Sequence, residues 1–202
     1  MPPAKKAPTA ATQRRNAAAL AATANKEYGP ETVVLASEAR LVRPRLQTGS
    51  VAFDAVLGGG LPANQWSEIV GWESHGKTAF AFKTIAHNQK YNPEFMTLWG
   101  AAEEFDPLRA QQAGVDLSRV ILVEENVMEV AFSVILEHME ERVCDLVVID
   151  SLAAMMPESE DDGDMGDHNV GRHAKVVNQF FRKAGKAGKR SLIEDDRPVA
   201  GI

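Results

Sequence analysis

The segment Gly71-Trp72-Glu73-Ser74-His75-Gly76-Lys77-Thr78 limits what this chain can fold into more than any other stretch. It follows a short strand expected over 66–70 and opens a helix expected over 77–88, and it fits the pattern G-x-x-x-x-G-K-[ST]. Gly71 and Gly76 let the backbone wrap closely, so that successive N–H groups and the helix N-terminus point at the β- and γ-phosphates of a nucleotide. Trp72, Glu73, Ser74, His75 and Ala79 complete the wall of such a loop. Lys77 adds positive charge there, and the Thr78 hydroxyl is placed to be a Mg²⁺ ligand.

A strand–loop–helix of this kind needs a sheet to stand on, and the rest of the chain supplies one. Strands are expected over 95–99, 119–123 and 146–149, and helices over 107–113 and 127–141, the second with apolar positions at Val130, Val134, Ile135 and Met139. Repeated βα units of this sort specify an α/β fold with a mostly parallel sheet. Leu146–Ile149 is continuously apolar, as a strand buried on both faces must be. No internal repeat is present.

Two further carboxylate positions fall at strand ends. Asp145-Leu146-Val147-Val148-Ile149-Asp150-Ser151 closes an apolar strand with Asp150, which on a neighbouring parallel strand would face the crevice occupied by the glycine loop and hold Mg²⁺. Beyond the strand over 95–99 stand Glu103 and Glu104, where a base or water-orienting group for hydrolysis belongs. Periodicity does not choose between them.

Composition narrows the class. With 202 residues, 45% of them hydrophobic, the chain suits one compact core plus extensions. No run approaches the roughly 18 apolar residues of a membrane helix, so a soluble, cytoplasmic protein is expected. Cys144 is the sole cysteine, which excludes an intrachain disulfide framework, and its apolar surroundings give it a structural role. The formal net charge of -6 hides segregation. Residues 1–47 carry eight Lys/Arg against three Asp/Glu, residues 48–157 six against sixteen, 158–167 none against six, and 168–202 eight against three. Basic ends leave a polyanion admissible as a partner, since phosphate binding follows local Lys/Arg density.

Outside the core, residues 1–13 read as a disordered basic arm. Residues 14–47 form an N-terminal extension, with a helix over 14–28, a Gly29-Pro30 stop and a short strand over 32–35. After the acidic loop, a helix is expected from Val170 to about Ala184. Residues 184–198 read as an irregular connection, and Val199–Ile202 as the start of a further strand.

The run from Thr48-Gly49-Ser50 through Leu57-Gly58-Gly59-Gly60-Leu61-Pro62, the glycine loop with Glu73-Ser74, Asp106-Pro107-Leu108-Arg109, Ala113-Gly114-Val115-Asp116, and Val148-Ile149-Asp150-Ser151-Leu152-Ala153-Ala154 together resemble bacterial RecA-type recombinases. The likeness runs from about Arg14 to Lys183. It implies a P-loop NTPase core, ATP and Mg²⁺ as cofactors, single-stranded DNA as partner, and DNA-dependent ATP hydrolysis in recombination and repair. It also implies a homo-oligomeric helical filament in which the N-terminal helix packs on a neighbouring subunit.

Site by site, the resemblance makes Glu103 the water-activating residue, after a one-residue shift from the ungapped match at Ala102. Asp106 would meet the exocyclic amine of adenine. Arg109 stands where the family carries a stacking tyrosine, and its guanidinium plane can serve the same end. Trp72, His75 and Ala79 depart from the common loop sequence. Val170 occupies the place of an apolar side chain inserted between bases, while Lys175, Asn178 and Arg182 match phosphate-contacting positions and share one helix face.

The likeness also implies that the chain stops inside the next core strand, before a second DNA-binding loop, leaving part of 66–70 as an exposed sheet edge. Two alternatives stay open: a RecA-like protein that binds nucleotide or DNA without productive hydrolysis, and an unrelated P-loop kinase or transport ATPase.

Overall fold

The computed structural model describes residues 9–30, 32–37, 44–101, 103, 105–158, 171–195 and 198–202. The chain divides into two compact units, Met1–Arg43 and Pro44–Ile202.

In the first unit α1 spans Ala10–Tyr28. It begins earlier than the sequence pattern indicated, because Thr9 caps it by accepting a hydrogen bond from the Thr12 N–H. Ala10–Gln13 are therefore helical rather than part of a disordered arm. No residue of α1 is buried, and Leu20 and Tyr28 are exposed. The strand expected over 32–35 is absent: among the described residues this stretch is bend and coil. The Asn25 side chain holds it instead, donating to the Val33 carbonyl and accepting from the Val33 N–H, both at 2.8 Å. An amide that satisfies both backbone groups of one residue replaces the ladder that a strand would need.

The second unit begins four residues before the expected boundary at 48. Strand β1, Arg45–Leu46, pairs antiparallel with β2, Leu61–Pro62, and short helix α2, Val51–Val56, lies between them. The ladder ties Pro44–Gln47 to the core, and Asn88 adds a hydrogen bond from its side chain to the Gln47 carbonyl at 2.7 Å.

Next come α3 (Lys77–Tyr91), β3 (Thr97–Ala101), α4 (Pro107–Gln112), β4 (Val120–Val123), α5 (Met128–Glu140), β5 (Leu146–Asp150), α6 (Arg172–Asp195) and β6 (Ala200–Gly201). The strands form one parallel sheet in the order β4-β3-β5-β6. Alternation along the strands sorts the core into two faces. Leu98 and Val147 pack with Phe132, Ile135, Phe180 and Ala184 of α5 and α6, whereas Trp99, Leu146 and Val148 pack with Phe82, Ile85 and Ala110 of α3 and α4. The sheet is thus covered by helices on both sides, which explains why Leu146–Ile149 of β5 reads as an unbroken apolar run.

On α5 the buried positions are Met128, Ala131, Phe132, Ile135 and Met139. Val130, expected inward, is 47% exposed, and Val134 is only partly buried. Cys144 is fully buried, as its surroundings indicated. Between α4 and β4 the Ser118 hydroxyl and then the Arg119 guanidinium hold the Asp116 carboxyl below the usual carboxylate range.

Two departures from the sequence reading occur at the sheet's far side. Residues 66–70 form no strand; Trp66 makes a single parallel bridge to Gly201, supported by a Ser67 N–H bond to the Gly201 carbonyl at 2.9 Å. Strand β6 therefore separates the P-loop segment from β5, so the two are not neighbours. The expected exposed edge is confined to the segment after Trp66, where Val70 is 83% exposed.

The other departure is that 184–195 is helical. Gly185 and Gly188 read as breakers, yet Ala184, Ala187, Gly188 and Ser191 are buried, and Gly188 lies against Asn64. Tertiary burial offsets the roughly 1 kcal/mol that each helical glycine costs relative to alanine. Phe180 anchors this helix, stacking on Phe132 with ring centroids 4.1 Å apart and meeting Trp66 edge-on at 5.3 Å. Phe180→Ala is expected to cost about 3–5 kcal/mol. Urea unfolding measures this, and a loss under about 1 kcal/mol would show that α6 is not packed as described.

Candidate nucleotide site

Parallel strands bring their carboxyl ends to one edge, and the candidate residues collect there. Ala101 closes β3 directly opposite Asp150 at the end of β5. The P-loop reaches the same edge from the segment after Trp66.

Gly76 is the N-cap of α3, in the left-handed region at φ 92°, with no side chain capping the helix. Only glycine adopts that conformation without strain. The first N–H groups of α3 are thus left for an external acceptor, and residues 71–76 are all exposed. Lys77 folds back over the loop, its Nζ donating to the carbonyls of Gly71 at 3.1 Å and Trp72 at 3.2 Å. His75 Nδ1 bonds the Glu73 carbonyl at 2.7 Å. Trp72 is 82% exposed and Ala79 is also at the surface, so the departures at 72 and 79 leave the loop's interior untouched.

The Thr78 hydroxyl donates to Asp150 Oδ2 at 2.8 Å, joining positions 72 residues apart in sequence. Both proposed ligands are hard oxygens, and among the described residues no cluster of three His, Cys, Asp or Glu side chains forms a metal cage. That donor set suits Mg²⁺, which keeps several waters and takes substrate phosphate oxygens beside one or two protein ligands.

Glu103 stands at the same edge. Its backbone N–H donates to the Asp150 carbonyl at 3.2 Å, and its carboxylate Oε1 accepts the Ser151 hydroxyl at 2.8 Å. Ala102 and Glu104 lie outside the described residues. The Ser151 contact was not foreseen from the sequence. It follows from the β3–β5 register, which no local pattern encodes.

Asp106 and Arg109 form a pair of their own. Asp106 caps α4, its Oδ1 accepting the Arg109 N–H at 2.9 Å, and its Oδ2 lies 3.9 Å from Arg109 Nε. The Arg109 side chain is 78% exposed and so has a free planar face. Val170 lies outside the described residues, as does most of the acidic loop. Lys175, Asn178 and Arg182 are all exposed on the first half of α6.

The model of the RecA N-terminal domain family matches residues 15–193. The chain belongs to that family. RecA of Chlorobaculum tepidum is 36% identical over 175 residues, which cover 85% of this chain and 50% of that protein. RecA of Prochlorococcus marinus is 34% identical over 166 residues, covering 81% and 44%, and RecA of Trichodesmium erythraeum is 36% identical over 170, covering 83% and 47%. The chain spans about half the length of these curated RecA relatives. No helix among the described residues is long and apolar enough to cross a membrane.

Proposed function

We propose that this chain is the nucleotide-binding core of a RecA-type recombinase, binding ATP with Mg²⁺ and hydrolysing it in response to single-stranded DNA. The single observation that carries the reading is the Thr78–Asp150 hydrogen bond. It sets a P-loop hydroxyl and a strand-end carboxylate on one point, as a shared Mg²⁺ requires.

In this reading the α3 N-terminus and Lys77 hold the β- and γ-phosphates. Thr78 and Asp150 would hold Mg²⁺, which would supply positive charge beside the transferring phosphoryl group. Glu103 orients the attacking water and accepts its proton, and Asp106 and Arg109 take the adenine. Lys175, Asn178 and Arg182 contact the DNA backbone, and α1 packs on a second copy in a filament. Strand exchange and a cytoplasmic setting belong to the same proposal.

Single-turnover hydrolysis with and without single-stranded DNA tests it. Glu103→Gln should lower the DNA-stimulated rate about 10²- to 10⁴-fold while ATP still binds. Tight ATP binding with no turnover by the parent chain would instead favour a nucleotide binder, and hydrolysis needing a specific acceptor and indifferent to DNA would favour a kinase or transport ATPase. For the DNA contact, Lys175→Ala and Arg182→Ala should each weaken single-stranded DNA binding and reduce the salt slope by about 0.7. Unchanged slopes in both variants would remove α6 from the interface.

A further inference from the structure

The Glu103 side chain is exposed and stands two residues past the end of β3. A free glutamate samples many conformers, and freezing one at the moment of reaction has an entropic cost. Ser151 removes that freedom: its Oγ donates to Glu103 Oε1 at 2.8 Å, while the Glu103 N–H is held by the Asp150 carbonyl. Both anchors come from consecutive residues at the end of β5. The backbone carbonyl of the Mg²⁺ ligand sets where Glu103 begins, and the next hydroxyl sets where its carboxylate ends.

We propose that Ser151 is a positioning residue for hydrolysis, holding the Glu103 carboxylate by Oε1 so that Oε2 is aimed at the attacking water. The proposal rests on the reading of Glu103 as the water-activating group. As the water oxygen forms its bond to the γ-phosphorus, its proton passes to Oε2 and the β–γ bridging P–O bond breaks, with the oxygen leaving on ADP. Ser151 takes no part in the bond changes. A hydroxyl suits the task because it donates to a carboxylate without adding charge beside Asp150. The contact is a pre-organising one, so its loss should appear in the chemical step and not in nucleotide affinity.

The test compares the parent chain, Ser151→Ala, Ser151→Thr and Glu103→Gln. ATP·Mg affinity is read by calorimetry, hydrolysis by single turnover with single-stranded DNA, and the Glu103 carboxylate by its ¹³C resonance, assigned through its disappearance in Glu103→Gln. Ser151→Ala is expected to bind ATP within about twofold of the parent and to hydrolyse it about tenfold more slowly. Its Glu103 resonance should shift, and Ser151→Thr, which keeps the hydroxyl, should restore both rate and resonance.

The proposal is overturned if Ser151→Ala hydrolyses at the parent rate while Glu103→Gln is inactive, if the loss lies in affinity, or if the Glu103 resonance does not move. A Glu103→Gln variant as active as the parent, or a parent that binds ATP without turnover, would overturn the water-activating role of Glu103 itself, and the positioning role with it.

Discussion

Lys77→Ala is expected to weaken ATP·Mg binding on the order of 10- to 100-fold, the range of a lost hydrogen bond to a charged group. The same substitution should leave folding stability close to that of the parent. Both halves follow from the loop geometry. The Lys77 ammonium now rests on the carbonyls of Gly71 and Trp72, which lie in an exposed loop and can turn to water when it is removed. Bound phosphates have no such substitute, because the Gly76 cap offers only backbone N–H groups. Equilibrium dialysis with labelled ATP and a thermal melt measure the two effects. A variant that binds ATP like the parent would show that the lysine merely ties the loop together. One that unfolds would assign it a structural role.

Gly60→Ala should be strongly destabilising although it lies away from the nucleotide site, costing about 3 kcal/mol or more. Gly60 has φ +116°, a region that side-chain-bearing residues rarely occupy, and a methyl group there would run into the Leu46 carbonyl, with the carbonyl carbon 2.8 Å away and Gln47 Cα at 3.0 Å. These are backbone atoms of the β1–β2 ladder and the turn after it, so no side-chain rotation relieves the clash. Arg45 adds to the constraint by donating to the Leu57 and Gly60 carbonyls. Failure of soluble expression, or a midpoint lowered by many degrees, is the expected result. Gly58→Ala is the control, since at φ +70° nothing lies within 4 Å of its added methyl. Equal stability of the Gly60 and Gly58 variants would mean that the β1–β2 pair is not formed as described.

Legibility differed between elements for physical reasons. The alternating units from α3 to β5 lie within a few residues of where hydrophobic period places them, because β3 and β5 are buried on both faces and the helices on one. Asp150 closes β5 and Glu103 stands two residues past β3, so the placement of both carboxylates at that edge was readable as well. What escaped was non-local. Residues 66–70 look like a strand but bridge Gly201 only at Trp66 and Ser67, and the glycine-rich stretch after Ala184 looks irregular but stays helical because Ala184, Ala187 and Gly188 are buried, Gly188 against Asn64. Asn25 substitutes a side-chain clasp for a strand that β-branched residues at 32–34 suggested. The Ser151–Glu103 contact spans 48 residues and depends on strand register alone.

The nucleotide site is tested most directly by titrating ATP into the parent chain in a calorimeter, once with Mg²⁺ and once with excess chelator. The account predicts a saturable isotherm with one nucleotide per chain, at least about tenfold tighter when Mg²⁺ is present, since the proposed role of Thr78 and Asp150 is to hold the ion rather than the phosphates. A folded chain giving no heat in either case, or identical isotherms in both, would contradict it.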